Sequence, residues 1–231
     1  MYSNPDIDVR SGQTTLSQHV YKTFGLMFTG LVITFLTAFV FYQTNLAYYL
    51  ASNFVITMAL LIAQVGVVIS LAGKLHSMNI GTARTMFLAY SVLTGISFST
   101  LGLYYGAASV YLAFGVTAVF FGALTVIGFT TKINMSKFAP ALMVGLLTLI
   151  AFNILSFFFN LSGMERMICS LGILIFTGIT VYDAQKMKAL YMANQGDEEM
   201  LRRLSIYSAL QLYLDFINIF VYILRLLGNR D

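Results

Sequence analysis

Charge is scarce in this chain. Of its 231 residues, 10% are Asp, Glu, Lys or Arg and 58% are hydrophobic, and the mean hydropathy is +0.82. A soluble domain carries about a quarter charged residues, so the polar surface is too small for a water-soluble fold and the natural solvent is lipid. Proline is limited to Pro5 and Pro140, and no Ser/Gly-rich or Pro-rich stretch occurs. That argues against a linker and for one compact membrane domain. The single cysteine, Cys169, excludes an intrachain disulfide and reads as a small packing residue in an apolar run. The pI of about 9.1 does not point to nucleic acid, because the basic residues punctuate hydrophobic segments instead of gathering on one face.

Long apolar runs dominate what is there. A transmembrane helix needs about 20 mainly apolar residues, and seven windows meet or nearly meet that length: Phe24–Tyr42, Phe54–Ala72, Met86–Tyr104, Val110–Phe129, Phe138–Phe159, Met167–Tyr182 and Leu204–Leu227. The expected fold is all-α, a polytopic membrane protein with seven transmembrane helices. The sixth window is short and ends directly in Asp183. Residues 1–21, with Asp6, Asp8, Arg10 and His19, are polar and are expected to form a mobile cytoplasmic tail, leaving 22–231 as the membrane domain. The run that follows is long and lacks a small-x-small cut site, so the first helix is expected to remain as an anchor.

Lys and Arg set the orientation. Arg10, Lys22, Lys74, Arg84, Lys132, Lys137, Lys186, Lys188, Arg202 and Arg203 fall on one side, and Arg166, Arg225 and Arg230 on the other. Ten against three places the N-terminus in the cytoplasm, with the C-terminus outside if the last window crosses. Gly102 with Gly106, and Ala118 with Gly122, have small-xxx-small spacing and are expected to mark helix packing within a monomer. No internal repeat supports an inverted-repeat transporter.

Nine acids are present, and only Asp183 and Asp215 lie at membrane depth. An ionised side chain at the bilayer centre costs at least ~2.5–3.5 kcal/mol, so such residues face a protein interior or a wet cavity. Gln211, Asp215, Asn218 and Tyr222 recur at spacings of four, three and four, which puts them on one helix face. Leu212, Phe216, Ile219 and Ile223 form the opposite, apolar face, and the polar stripe is expected to face the bundle interior. Thr177, Thr180 and Asp183 make a weaker stripe on the sixth window. Gln64 and Asn153 are read as interhelical hydrogen bonds. Two acids in one bundle leave three chemistries open: binding a hard cation such as Ca²⁺, sharing a proton, or activating a water.

The segments "GITVYDAQKM" (178–187) and "ALQLYLDFINIFVYILRLLGNRD" (209–231) resemble the Bax inhibitor-1 family, specifically its bacterial inner-membrane branch. The resemblance covers the chain from about Tyr21 onward. It implies seven helices with the last at the centre of the bundle. It also implies a pH-sensitive Ca²⁺ leak channel gated by protonation of an aspartate pair, matched here by Asp183 and Asp215, with Gln211, Asn218, Tyr222 and Thr180 as supporting polar groups. Relatives carry a basic latch near the second helix. The second window has no Arg or Lys, and Lys74 and His76 just after it are the candidates. The resemblance implies no enzyme and no cofactor. Ca²⁺ enters as permeant or bound ion on Asp183 and Asp215, with membrane lipid as the surrounding partner. The alternative is a non-conducting membrane stress regulator that binds a membrane protease or another membrane protein. An intramembrane aspartyl protease fits poorly: the second aspartate lacks a preceding Gly-x-Gly, and "PAL" at 140–142 precedes both acids.

Overall fold

Inside a bilayer every backbone N–H and C=O must find its partner within the protein, which leaves helices as the only open-chain solution. In the computed structural model, which describes residues 14–74, 77–159 and 162–228, all seven windows are helical, and no strand occurs among the described residues. The first spanning helix is Leu16–Gln43 and the second Phe54–Lys74, joined through the short helix Leu46–Ser52. The third is Ile80–Phe98, extended by Leu101–Tyr105, and the fourth is Ala107–Thr130. The fifth, Ala139–Phe158, is entered through a 3-10 turn, Met135–Phe138. Pro140 sits in its first turn, where a missing N–H has no intrahelical partner to lose. The sixth is Glu165–Ala193 and the seventh Glu198–Leu227. All seven are long and apolar enough to cross a membrane, and the protein is an integral, multi-pass membrane protein.

Two boundaries differ from the sequence expectation. The first helix starts at Leu16, not after residue 21, because Thr15 and Gln18 form a reciprocal capping box. Its two added turns carry His19 and Thr23, both buried. His19 Nδ1 lies 3.0 Å from Ser205 Oγ, and its ring centre lies 5.5 Å from that of Tyr191, the two rings tilted. Residues 1–13 of the expected tail lie outside the described residues. The sixth helix is not short. It continues ten residues past Asp183 to Ala193, and only residues 194–197 separate it from the seventh. Ala, Gln, Lys, Met and Leu after Asp183 are good helix formers, so the helix outlasts its apolar window.

The seventh helix is central, as expected. It packs on the first, third, fourth and sixth helices. More than half of its window is buried, against 6% for the second and for the fifth. Those two stand at the periphery, the second leaning on the third and the fifth on the sixth. Lipid tails are as apolar as the side chains, so helices associate through close approach and hydrogen bonding. A Cβ on Gly95 would lie 2.6 Å from the Thr34 carbonyl oxygen, and one on Gly128 would lie 2.6 Å from Ala184 Cβ. Tyr213 is fully buried, its hydroxyl 2.6 Å from Thr34 Oγ1, with the rings of Phe87 and Tyr90 edge-on to it. Of the expected packing residues, Gly102 meets the Tyr42 ring. Gly106 instead breaks the chain between two helices with φ +72°, and Ala118 and Gly122 face outward. Small-xxx-small spacing selects a stripe, but not which stripe has a helix opposite it.

Candidate functional site

The sixth and seventh helices form an antiparallel hairpin closed by residues 194–197, with Gly196 at φ +93°. On the sixth, Asp183 and Lys186 are three residues apart and so share a face. On the seventh, Tyr207, Gln211, Asp215 and Asn218 line one stripe. The hairpin sets the two faces toward a cavity of about 350 Å³ lined by Asp183, Lys186, Gln211, Asp215 and Asn218 among apolar neighbours from the fifth helix. Asp183 is 7% exposed and Asp215 3%. Neither carboxylate makes a hydrogen bond among the described residues, and Asp215 Oδ2 is fully buried without a partner. They are not hydrogen-bonded to one another, yet Asp215 is within electrostatic reach of both Asp183 and Lys186.

Lys186 is the residue that sequence reasoning left in a loop. Its Nζ donates to the Tyr207 hydroxyl at 3.2 Å and to Gln211 Oε1 at 3.3 Å. It also lies 5.1 Å from the Tyr207 ring centre and 5.9 Å from that of Tyr182, a distance at which an ammonium is attracted by the ring face. Its i,i+3 spacing from Asp183 is visible in the sequence; that the helix continues past residue 182 and puts both on one face is not.

The other expected residues divide. Gln211 and Asn218 line the cavity, and the Asn218 amide also donates to the Leu214 carbonyl. Thr180 is buried and satisfied by the Phe176 carbonyl of its own helix at 2.8 Å, and it does not line the cavity. Tyr222 lies further along the seventh helix, against Gly172 and Phe176. Lys74 is exposed at the last residue of the second helix, and nothing brings it to the aspartates. His76 lies outside the described residues. Gln64 bonds Ser97 Oγ at 2.7 Å, the interhelical contact expected of it. The apolar face Leu212, Phe216, Ile219 and Ile223 is buried throughout. The polar stripe, expected to face the bundle interior, instead borders the cavity beneath the fifth helix, and the apolar face is the one packed into the centre of the bundle.

A second cavity, of about 540 Å³, continues along the seventh helix and shares Leu146, Phe176 and Asn218 with the first. Among the described residues no group of three or more His, Cys, Asp or Glu is placed to hold a metal. Ca²⁺ takes 6–8 oxygen ligands. The cavity offers two carboxylates and two amides beside an ammonium.

A family model described as "Inhibitor of apoptosis-promoting Bax1" matches residues 16–231. The chain belongs to the Bax inhibitor-1 family. Relatives align over most of the chain. A Borreliella burgdorferi protein is 37% identical over 210 residues, covering 90% of each chain. The inner membrane protein YbhL of Escherichia coli K12 is 36% identical, with 99% of this chain and 97% of YbhL aligned. YrjE of Lactococcus lactis is 35% identical, with 91% of this chain and 92% of YrjE aligned. Within this Bax inhibitor-1 protein, the two segments that carried the resemblance are the facing walls of one cavity.

Proposed function

We propose that this protein is a pH-sensitive Ca²⁺ leak channel of a bacterial inner membrane, with Asp183 and Asp215 as its proton- and ion-responsive pair. One observation carries the reading: two buried carboxylates, with Asp215 Oδ2 left without a hydrogen-bond partner, line one cavity that shares Leu146, Phe176 and Asn218 with a second cavity further along the seventh helix. A buried carboxylate left unpaired is costly as an anion, so it takes up a proton or a cation. With both acids ionised, Lys186 leaves the cavity with net charge −1, which draws a divalent cation. One proton on the pair brings the cavity to neutrality, removes that draw and lets the sixth and seventh helices rest together. Lowering the pH therefore closes the leak. The excess of Lys and Arg at one set of helix ends orients the N-terminus toward the cytoplasm. The inner-membrane location follows the printed name of YbhL.

The test is Ca²⁺ entry into dye-loaded liposomes containing purified protein, across a pH series, for the wild type, Asp183→Asn, Asp215→Asn and the double variant. Each single change should remove most of the pH response, and the double should add little, since groups acting as a unit are non-additive. Additive single effects would make the two acids independent sites. No Ca²⁺ entry at any pH would overturn the channel reading.

A further inference from the structure

The larger cavity is not only an extension of the aspartate site. It lies between the second and fifth helices, the two that pack least, and its walls are open to the bilayer: Phe54, Leu61 and Ile154 are each more than half exposed there. Its chemistry changes with depth. Arg225 is in the last turn of the seventh helix, and Asn153 lies near the end of the fifth, so both polar groups sit toward one membrane face. Arg225 Nη1 donates to Asn153 Oδ1 at 3.4 Å, and the Asn153 amide nitrogen lies 3.5 Å from the Tyr222 hydroxyl. No carboxylate lines the groove, and Arg225 is in no ion pair among the described residues. From that end inward the wall formed by the second and fifth helices is apolar, through Met58, Leu61 and Ile150 to Leu146, and Asn218 is the one polar side chain of the lining at the inner end, where the groove meets the aspartate cavity. Leu146 is twelve residues from the end of the fifth helix, about 18 Å along its axis.

We propose that this groove binds one anionic membrane phospholipid, its phosphate at Arg225 and Asn153 and an acyl chain laid along the apolar wall. The charge, the lateral opening and the polar-to-apolar order with depth all match a lipid standing in its own leaflet. Guanidinium is suited to phosphate because its planar fork offers two parallel donors. A volume of about 540 Å³ falls within the ~300–1,000 Å³ typical of small-molecule sites. Free phosphate alone would leave the apolar wall unfilled, and a zwitterionic lipid would bring a cation to Arg225.

The chain contains no tryptophan, so a single introduced indole reports from one place. Full-length protein carrying Leu61→Trp is reconstituted in phosphatidylcholine vesicles and titrated with brominated phosphatidylglycerol or brominated phosphatidylcholine, whose bromines quench the indole on contact. The expected result is half-quenching at about tenfold less phosphatidylglycerol, the effect of one charge-assisted contact. Arg225→Gln should abolish that preference and Arg225→Lys should keep part of it. A reporter on the fourth helix, Val119→Trp, should show no preference. Excess inorganic phosphate should not displace the lipid. Equal quenching by the two lipids, an unchanged preference in Arg225→Gln, or displacement by phosphate would each overturn the proposal. The readout involves no ion flux, so its failure leaves the channel reading untouched, and the reverse holds.

Discussion

At the scale of single residues, Lys186 changes what the aspartate pair is. Two buried carboxylates alone would repel each other. With an ammonium on the same helix face as Asp183, held by Tyr207 and Gln211, the cavity carries a mixed, nearly balanced charge. The one basic residue of the second helix, Lys74 at its last position, does not line the cavity, so the cation beside the pair comes from the sixth helix itself. Replacing it tests the electrostatics directly. Lys186→Met keeps the length and apolar stem but takes the cavity from −1 to −2. Initial Ca²⁺ flux into liposomes at neutral pH should rise severalfold. Unchanged flux with lowered thermal stability would make Lys186 a packing residue only.

At the scale of elements, the fit between the fourth and sixth helices shows what glycine does here. Gly128 lets the fourth helix approach Ala184 and the Val181 carbonyl next to Asp183, where an added Cβ would lie 2.6 and 3.1 Å from those atoms. Gly128→Ala should therefore destabilise the protein by about 1–3 kcal/mol, the usual cost of overpacking a filled core, read as a lower melting temperature in detergent. Gly122→Ala on the same helix meets nothing within 4 Å and should leave the melting temperature unchanged. The two glycines are six residues apart in one apolar run, and nothing local tells them apart. The difference is which of them faces a neighbouring helix.

At the scale of the whole molecule, the seven helices place residues 77–79, 131–134 and 194–197 at one membrane face and residues 44–53, 99–106 and 162–164 at the other. In the proposed orientation the first face is the cytoplasmic one. Reporter fusions at residues 78, 133 and 195 should read cytoplasmic, and fusions at residues 45, 163 and after 228 should read external. A cytoplasmic reporter at 163 would invert the assignment. A cytoplasmic reporter after 228 alone would mean that the last helix, 30 unbroken residues or about 45 Å long, does not cross.

Lipid as solvent made much of this protein readable from composition alone. Apolar length declares each spanning helix, and an acid within or at the end of such a run declares a candidate site, because both follow from the cost of exposing polar atoms to hydrocarbon. Hence the seven helices and the prominence of Asp183 and Asp215 follow from the chain itself. Where a helix ends is less visible, since the sixth continues on helix-forming polar residues that no hydropathy window counts. What faces what is not visible at all. Only the packed bundle decided that Thr180 turns back onto its own backbone, that Lys186 joins the acids, that Gly128 has a neighbour and Gly122 does not, and that Arg225 heads a groove left between two loosely held helices. Those are properties of helix rotation and partner choice, which depend on shape complementarity across distant segments rather than on any local pattern.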